Sequence, residues 1–148
     1  MTGAGLVHPA VVVDASAWVG NFVPADRFGA PSVQWLDGYA QAGGVIFAPD
    51  LLLIEVAAAV ARRTGLPAEG KTAATDLTAA RYLKLVPLDE PLRDAAVALA
   101  ADLRLRAADA VYVTLAARLG LPLVTWDQEQ AVQAAARVTV FAPSTFPA

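Results

Sequence analysis

Short β-branched and apolar runs alternate along this chain with longer segments of helical period, and the two patterns predict different elements. Ala10 to Val13 reads as a buried strand that stops at Asp14, after which Ser16 can cap a short helical turn. A loop rich in Pro, Gly and Asp runs from Pro24 to Pro31. Ser32 to Ala42 reads as a helix closed by Gly43 and Gly44. Val45 to Ala48 is a second strand; Pro49 and Asp50 stop it and cap a helix from Leu51 to Arg63, which Gly65 and Pro67 terminate. Pro67 to Tyr82 reads as a helix weakened by Gly70 and its threonines, and Lys84 to Leu88 as a third strand. Helices over Glu90 to Arg104 and Ala107 to Leu119 follow, with a brief break near Leu105 and a stop at Gly120. Leu121 to Thr125 is a fourth strand, Asp127 to Ala136 a helix, and Val138 to Phe141 a last strand before a Pro-rich tail.

Strands alternating with helices predict an α/β fold whose parallel sheet of about five strands is flanked by helices on both faces. At 148 residues the chain fits one domain, with its core over about residues 11 to 143. Hydrophobic residues make up 57% and charged residues 17%, which argues against disorder. With no cysteine there is no disulfide, thiolate zinc site or thiol nucleophile. The N-terminal MTGAGLVHPA lacks the basic and apolar regions of a signal peptide. The longest apolar block, LLLIEVAAAVA, is too short to span a bilayer. The expectation is a soluble cytoplasmic protein.

Four acids fall where predicted strands end or helices begin: Asp14, Glu55, Asp109 and Asp127. In open α/β sheets ligands bind outside the carboxyl ends of the strands. Carboxylates gathered there repel one another unless a cation or a proton holds them together. An oxygen-only donor set suits Mg²⁺ or Mn²⁺, and such a site can activate water against a phosphodiester. Each acid also has a plainer reading. Asp14 can be a helix cap, with Ser16 either assisting or orienting a water. Glu55 lies in a helix apolar nearly all round, where a lone carboxylate is costly unless paired. Arg62, on roughly the same face, is seven residues away and too far for a direct bond along the helix. Asp109 in a first turn favours the helix dipole. Asp127 has Gln130 at capping-box spacing, and Thr125 beside it could hydrogen-bond a water or a neighbouring carboxylate. It is their joint placement at one sheet edge that favours a metal site.

The formal charge of −3 disfavours broad nucleic-acid binding. Setting the four acids apart leaves 10 of 14 against 11 Lys and Arg, so the rest of the chain is close to balanced. Arg62, Arg63, Arg104 and Arg106 are the candidate phosphate contacts, each with the alternative of a solvated helix end. His8 is the only histidine and sits near the N-terminus, which excludes a serine-histidine-aspartate triad. The Gly-Ala-Gly at residues 3 to 5 precedes the first strand, so it is no phosphate-binding loop. The three tryptophans read as core or cleft residues more than as a base-stacking platform.

VVVDASAWV, APDLLLIEVAAAVARR, LRAADAVYVTLAARLG and LPLVTWDQE occur in that order. Over about Val11 to Pro143 the chain resembles the PIN-domain family, specifically the VapC-type ribonuclease toxins of toxin–antitoxin pairs. The resemblance implies a small parallel sheet between helices, with Asp14, Glu55, Asp109 and Asp127 as an acidic quartet. Asp14 and Asp109 would be its direct Mg²⁺ ligands, with Mn²⁺ a substitute. It implies hydrolysis of an RNA phosphodiester by metal-activated water, leaving 5′-phosphate and 3′-hydroxyl ends, together with a homodimer and a VapB-type antitoxin partner. The departures are a longer loop between Asn21 and Pro31 and the bulky Trp126 beside a catalytic acid. A catalytically silent binding module of the same fold is the alternative. A phosphoacceptor receiver domain fits worse, because Asp14 is followed by Ala15 and no lysine follows Lys84.

Overall fold

The computed structural model describes residues 5–23 and 25–147; Pro24 of the expected loop and Gly3 and Ala4 of the Gly-Ala-Gly stretch lie outside them. Among the described residues the order is β1 (Ala10–Val13), α1 (Ala15–Phe22), α2 (Gly29–Gln41), β2 (Val45–Pro49), α3 (Leu51–Thr64) and α4 (Pro67–Ala79). It continues with β3 (Leu83–Val86), α5 (Glu90–Leu103), α6 (Ala107–Leu119), β4 (Leu123–Val124), α7 (Gln128–Ala134) and β5 (Val140–Phe141), before a 3₁₀ turn at Pro143–Thr145.

The five strands are all parallel, in the order β3-β2-β1-β4-β5. Val11, Val12 and Val13 of the central strand are fully buried, so both faces of the sheet are covered. The strand order reverses direction between β1 and β4, where Val13 pairs with Val124. That reversal opens a crevice at the carboxyl ends of these two strands, the usual ligand position in such sheets. Asp14 and Thr125, each the next residue after its strand, stand on either side of it.

Helix α6 is buried continuously from Ala110 to Ala116, which is why its sequence is apolar all round. Helices α3 and α4 pack tightly because Gly70 faces the Ala57 carbonyl; a Cβ there would collide with that oxygen. The glycine expected to weaken α4 is a packing notch.

Several boundaries differ from the pattern-based expectation. The helix after β1 is not a short turn capped by Ser16. It runs from Ala15 to Phe22 and is capped by Asp14. Helix α2 begins at Gly29 and takes in Pro31, which is tolerated in a first turn because its missing N–H has no intrahelical partner there. Ser32 is therefore buried inside the helix instead of starting it. Helix α4 ends at Ala79, freeing the Tyr82 carbonyl to accept from Ile46 and begin the β2–β3 pairing. Asp50 precedes α3 without a side-chain cap, and its carboxylate accepts from the Leu88 N–H. Arg104 leaves α5 in a left-handed conformation, with φ of 56°, and the chain turns through buried Leu105 to Arg106, the residue before α6.

Candidate active site

Asp14 is 5% exposed, and three donors fix its carboxylate. Oδ1 accepts from the Ser16 N–H at 3.1 Å and from Ser16 Oγ at 2.6 Å; Oδ2 accepts from Thr125 Oγ1 at 2.8 Å. The two hydroxyls are themselves oriented by the turn after β4. Ser16 Oγ accepts from the Trp126 N–H at 3.0 Å, and Thr125 Oγ1 from the Asp127 N–H at 3.0 Å. Each therefore has its proton free to give. Burial outweighs these hydrogen bonds and pushes the Asp14 carboxyl up to about 7. Gln130 Oε1 lies 3.0 Å from Thr125 Oγ1. One hydroxyl proton cannot serve both acceptors, so Thr125 donates to Asp14 when that acid is ionised. When Asp14 is protonated, it can donate to Thr125, which then donates to Gln130.

Glu55 on α3 is half-buried, and its Oε1 accepts from the Tyr112 hydroxyl at 2.7 Å. Burial raises its carboxyl above the usual range, against the pull of that hydrogen bond, and the charge of Asp109 adds to the rise. Tyr112 is 1% exposed, and burial followed by the Glu55 charge drives its own ionisation far above normal. It therefore stays a donor. Tyr112 stands one helical turn beyond Asp109 on α6, and its hydroxyl links that helix to α3.

Asp109, in the first turn of α6, is raised by burial and by the charges of Asp127 and Glu129, and lowered by Arg106. Asp127 caps α7, its Oδ1 accepting from the Gln130 N–H at 3.0 Å. Burial works against its ionisation, but that cap and Arg106 prevail, and its carboxyl is held below the usual range. The Arg106 guanidinium spans the two acids. Nε donates to Asp109 Oδ2 at 2.9 Å and Nη2 to Asp127 Oδ2.

The four acids are thus coupled in series, Asp109 raising both Asp14 and Glu55 while Asp127 raises Asp109. Their oxygen-only chemistry fits a hard divalent cation. The arrangement is not preassembled: among the described residues no three His, Cys, Asp or Glu side chains converge to hold one ion. Two of the four carboxylates are held by Arg106.

Beside the acids is a cavity of about 560 Å³. Its lining includes the polar Ser16, Glu55 and Asp127, the apolar Val19, Ile54 and Ala58, and the side chains of Arg62 and Arg63. Phe28 and Trp126 also line it, stacked with centroids 4.5 Å apart and planes 7° from parallel, with the Arg27 guanidinium 4.3 Å from the Phe28 centroid. Trp126 Nε1 donates to Ser32 Oγ at 2.8 Å, which anchors this stack to α2. Asp26, whose side chain is 7% exposed, pairs with Arg63 and pins the 25–28 loop to the end of α3.

The arginines separate accordingly. Arg63 and Arg106 are tied to acids, whereas Arg62 and Arg104 are exposed and join no ion pair among the described residues. Tyr112, Gln130, Asp26 and Phe28 were not expected at the site. Only Tyr112 carried a readable signal, its i+3 spacing from Asp109. His8 has no place here, since it packs near Phe141 and Phe146.

The sequence profile of the PIN domain matches residues 11–136. No curated protein sequence matches the chain. Among solved structures, a toxin–antitoxin complex from Klebsiella pneumoniae matches at 16% identity and TM-score 0.65, over 90% of this chain and 97% of that one. The sarcin–ricin loop cleaving toxin VapC20 of Mycobacterium tuberculosis matches at 16% identity and TM-score 0.71, over 87% and 96%. A Pyrobaculum aerophilum protein matches at 22% identity and TM-score 0.67, over 95% and 94%. At these identities the likeness is one of fold.

Proposed function

We propose that this chain, which belongs to the PIN-domain family, is a Mg²⁺- or Mn²⁺-dependent endoribonuclease and the toxin of a toxin–antitoxin pair. The observation that carries this reading is the position of Asp14 at the crevice between β1 and β4, bonded to Thr125 across it, with Asp127 two residues past Thr125 and joined to Asp109 through Arg106. Asp14 and Asp109 would be the principal ligands, with Glu55 and Asp127 completing the set. When bound, the cation supplies Lewis acidity, making water a better nucleophile at neutral pH and offsetting charge that builds on the phosphodiester.

The chain's own side chains do the rest. Ser16 and Thr125 fix the rotamer of Asp14 and keep both its oxygens hydrogen-bonded. Glu55, oriented by the Tyr112 hydroxyl and held above the usual carboxylate range by burial, is the group placed to accept a proton from the attacking water. As the water oxygen bonds to phosphorus, the bond to the 3′ oxygen breaks and that oxygen takes up a proton from solvent, leaving 5′-phosphate and 3′-hydroxyl ends. Arg62, unpaired on the cavity rim, is placed to hold a flanking phosphate.

The test is cleavage of single-stranded and loop RNA by the purified chain in Mg²⁺ or Mn²⁺ against EDTA. Asp14→Asn and Asp109→Asn should each lower turnover by orders of magnitude with the fold intact. Full activity in Asp14→Asn would remove the assignment. One observation favours a second reading, a silent binding module: no three acids are poised around one ion. RNA binding without cleavage at any cation concentration would select it.

The toxin reading is supported by the structural relatives, two of which are a toxin–antitoxin complex and a sarcin–ricin loop cleaving toxin. A partner fits the same cavity, with an apolar helix face on Val19 and Ile54 and an arginine reaching Glu55 and Asp127. A small protein encoded beside this one should co-purify with it and suppress cleavage. A homodimer is part of the proposal as well, since Val97 and Val132 leave apolar surface on α5 and α7. Light scattering that shows only monomer at micromolar concentration would count against it.

A further inference from the structure

We propose that Arg106 is a built-in counterion that competes with the divalent cation for Asp109 and Asp127, so that the site is closed until Arg106 swings away. The inference rests on the proposed cation-dependent function and goes beyond it. Arg106 is the only cationic side chain among the described residues that bridges two of the four acids. It does so through two different nitrogens of one planar fork, a geometry that a point charge cannot reproduce. The oxygens it takes, Oδ2 of Asp109 and Oδ2 of Asp127, are withdrawn from any shared ion, which agrees with the lack of a ready three-acid group.

The means of release is also built in. Arg106 is the residue before α6, with extended backbone, so its side chain can leave without disturbing a helical turn. That side chain is 62% exposed, so turning it into solvent uncovers little apolar surface. Asp127 keeps its cap on α7 through Oδ1, and Asp109 keeps its place in the first turn of α6, so the Oδ2 atoms that Arg106 gives up are open to a cation. Asp14 and Glu55, by contrast, are held by hydroxyl groups, which a cation can join without displacing a charge.

The experiment is calorimetric titration of the cation-free full chain with Mn²⁺, beside thermal unfolding in EDTA and in saturating Mn²⁺. Arg106→Gln should bind Mn²⁺ about fivefold or more tightly than the parent, the size expected from losing a charge-assisted competitor. Arg106→Lys should fall between them. Arg62→Gln removes a charge from the same cleft without touching the acids, and should change the affinity less than about twofold. In EDTA, Arg106→Gln should unfold at a lower temperature than the parent, and the two should converge in saturating Mn²⁺. Unchanged or weaker Mn²⁺ binding by Arg106→Gln overturns the proposal, as does a stability gap that persists in saturating Mn²⁺. So does failure of the parent and the variant alike to bind Mn²⁺. Competition without any RNA cleavage would leave the counterion in place and remove only the nuclease reading. Cleavage with no change in Mn²⁺ affinity would do the reverse.

Discussion

Thr125 Oγ1 donates to Asp14 Oδ2 at 2.8 Å, joining two residues 111 positions apart across the crevice where the sheet reverses its order. The bond follows from register: Val13 pairs with Val124, so the next residue on each strand must meet. Both partners are buried, and Thr125 Oγ1 also receives the Asp127 N–H. Thr125→Val keeps the shape and removes the hydroxyl, leaving an acceptor of Asp14 and the Asp127 amide without partners. It should cost about 1–3 kcal/mol in urea unfolding, while Thr125→Ser recovers most of the loss. Equal stability of Thr125→Val and the parent would show that water replaces the hydroxyl freely.

Asp14 makes the cation-free protein sensitive to pH. Its carboxyl titrates near 3.8 unfolded and about 7 folded, so between these values the native state holds the extra proton. Stability in EDTA should therefore fall as pH rises from about 4 to 7 and level off above, by on the order of 2–4 kcal/mol from this group. Glu55 and Asp109 are raised and act in the same direction; Asp127 is lowered and acts oppositely. Asp14→Asn mimics the protonated acid: Oδ1 accepts from Ser16, and Nδ2 donates to Thr125. It should flatten the profile and be more stable than the parent at pH 8. An Asp14→Asn profile as steep as the parent's would locate the titrating group elsewhere.

Tyr112 and Glu55 form the second long-range link, from α6 to α3. Tyr112→Phe should cost about 1–2 kcal/mol, toward the low end for a bond to a carboxylate because Glu55 is only half-buried. A double-mutant cycle with Glu55→Ala isolates the pair, with an expected coupling of about 1 kcal/mol. Zero coupling would mean that the two side chains are neighbours without interaction.

How much of this was readable from the chain depends on range. Local chemistry was legible: Ala107–Leu119 as a helix, Gly65 and Gly120 as helix stops, both left-handed in the structure, and Asp127 as a cap with Gln130 three residues on. The four acids stood out because a carboxylate following an apolar strand or lying in an apolar helix is costly without a purpose. Strand order was not legible, since hydrophobic alternation does not encode which strands are neighbours. The Asp14–Thr125 bond was therefore only one of several options for Thr125. The span of α1 was misjudged because ASAWVGNF is rich in small residues, and its first turn depends on the Asp14 cap and burial of Trp18. The arginines looked equivalent because charge alone does not reveal a partner such as Asp26, 37 residues upstream of Arg63.

Gly70→Ala sets local preference against packing. Helix propensity alone predicts a gain of about 1 kcal/mol. The added Cβ would drive into the Ala57 carbonyl oxygen, which is backbone and cannot rotate aside, so α4 must shift against α3. A net loss of roughly 1–3 kcal/mol is expected from the urea midpoint, despite the favourable propensity. Because Ala57 is two residues beyond Glu55, the same change should lower RNA turnover. A stabilised Gly70→Ala would show that the two helices have room to separate.

Arg62 and Arg63 are adjacent and chemically identical, yet their surroundings predict opposite phenotypes. Arg63 pairs with Asp26, whose side chain is 7% exposed, and this pair secures the 25–28 loop that carries Phe28 onto Trp126. Arg63→Ala strands a largely buried carboxylate and should lower the melting temperature, with recovery on adding Asp26→Asn. Arg62 is exposed and unpaired on the cavity rim, so Arg62→Ala should leave stability within about 0.5 kcal/mol of the parent. Its loss should appear in RNA binding. One fewer phosphate contact weakens affinity at low salt and flattens the slope of log K against log salt by about 0.7 for a single strand. Measuring both variants for stability and for salt-dependent binding separates the roles. If Arg62→Ala leaves affinity and slope unchanged, Arg62 is a surface residue and the phosphate path runs elsewhere; if Arg63→Ala melts like the parent, the loop is held by the Phe28–Trp126 stack alone.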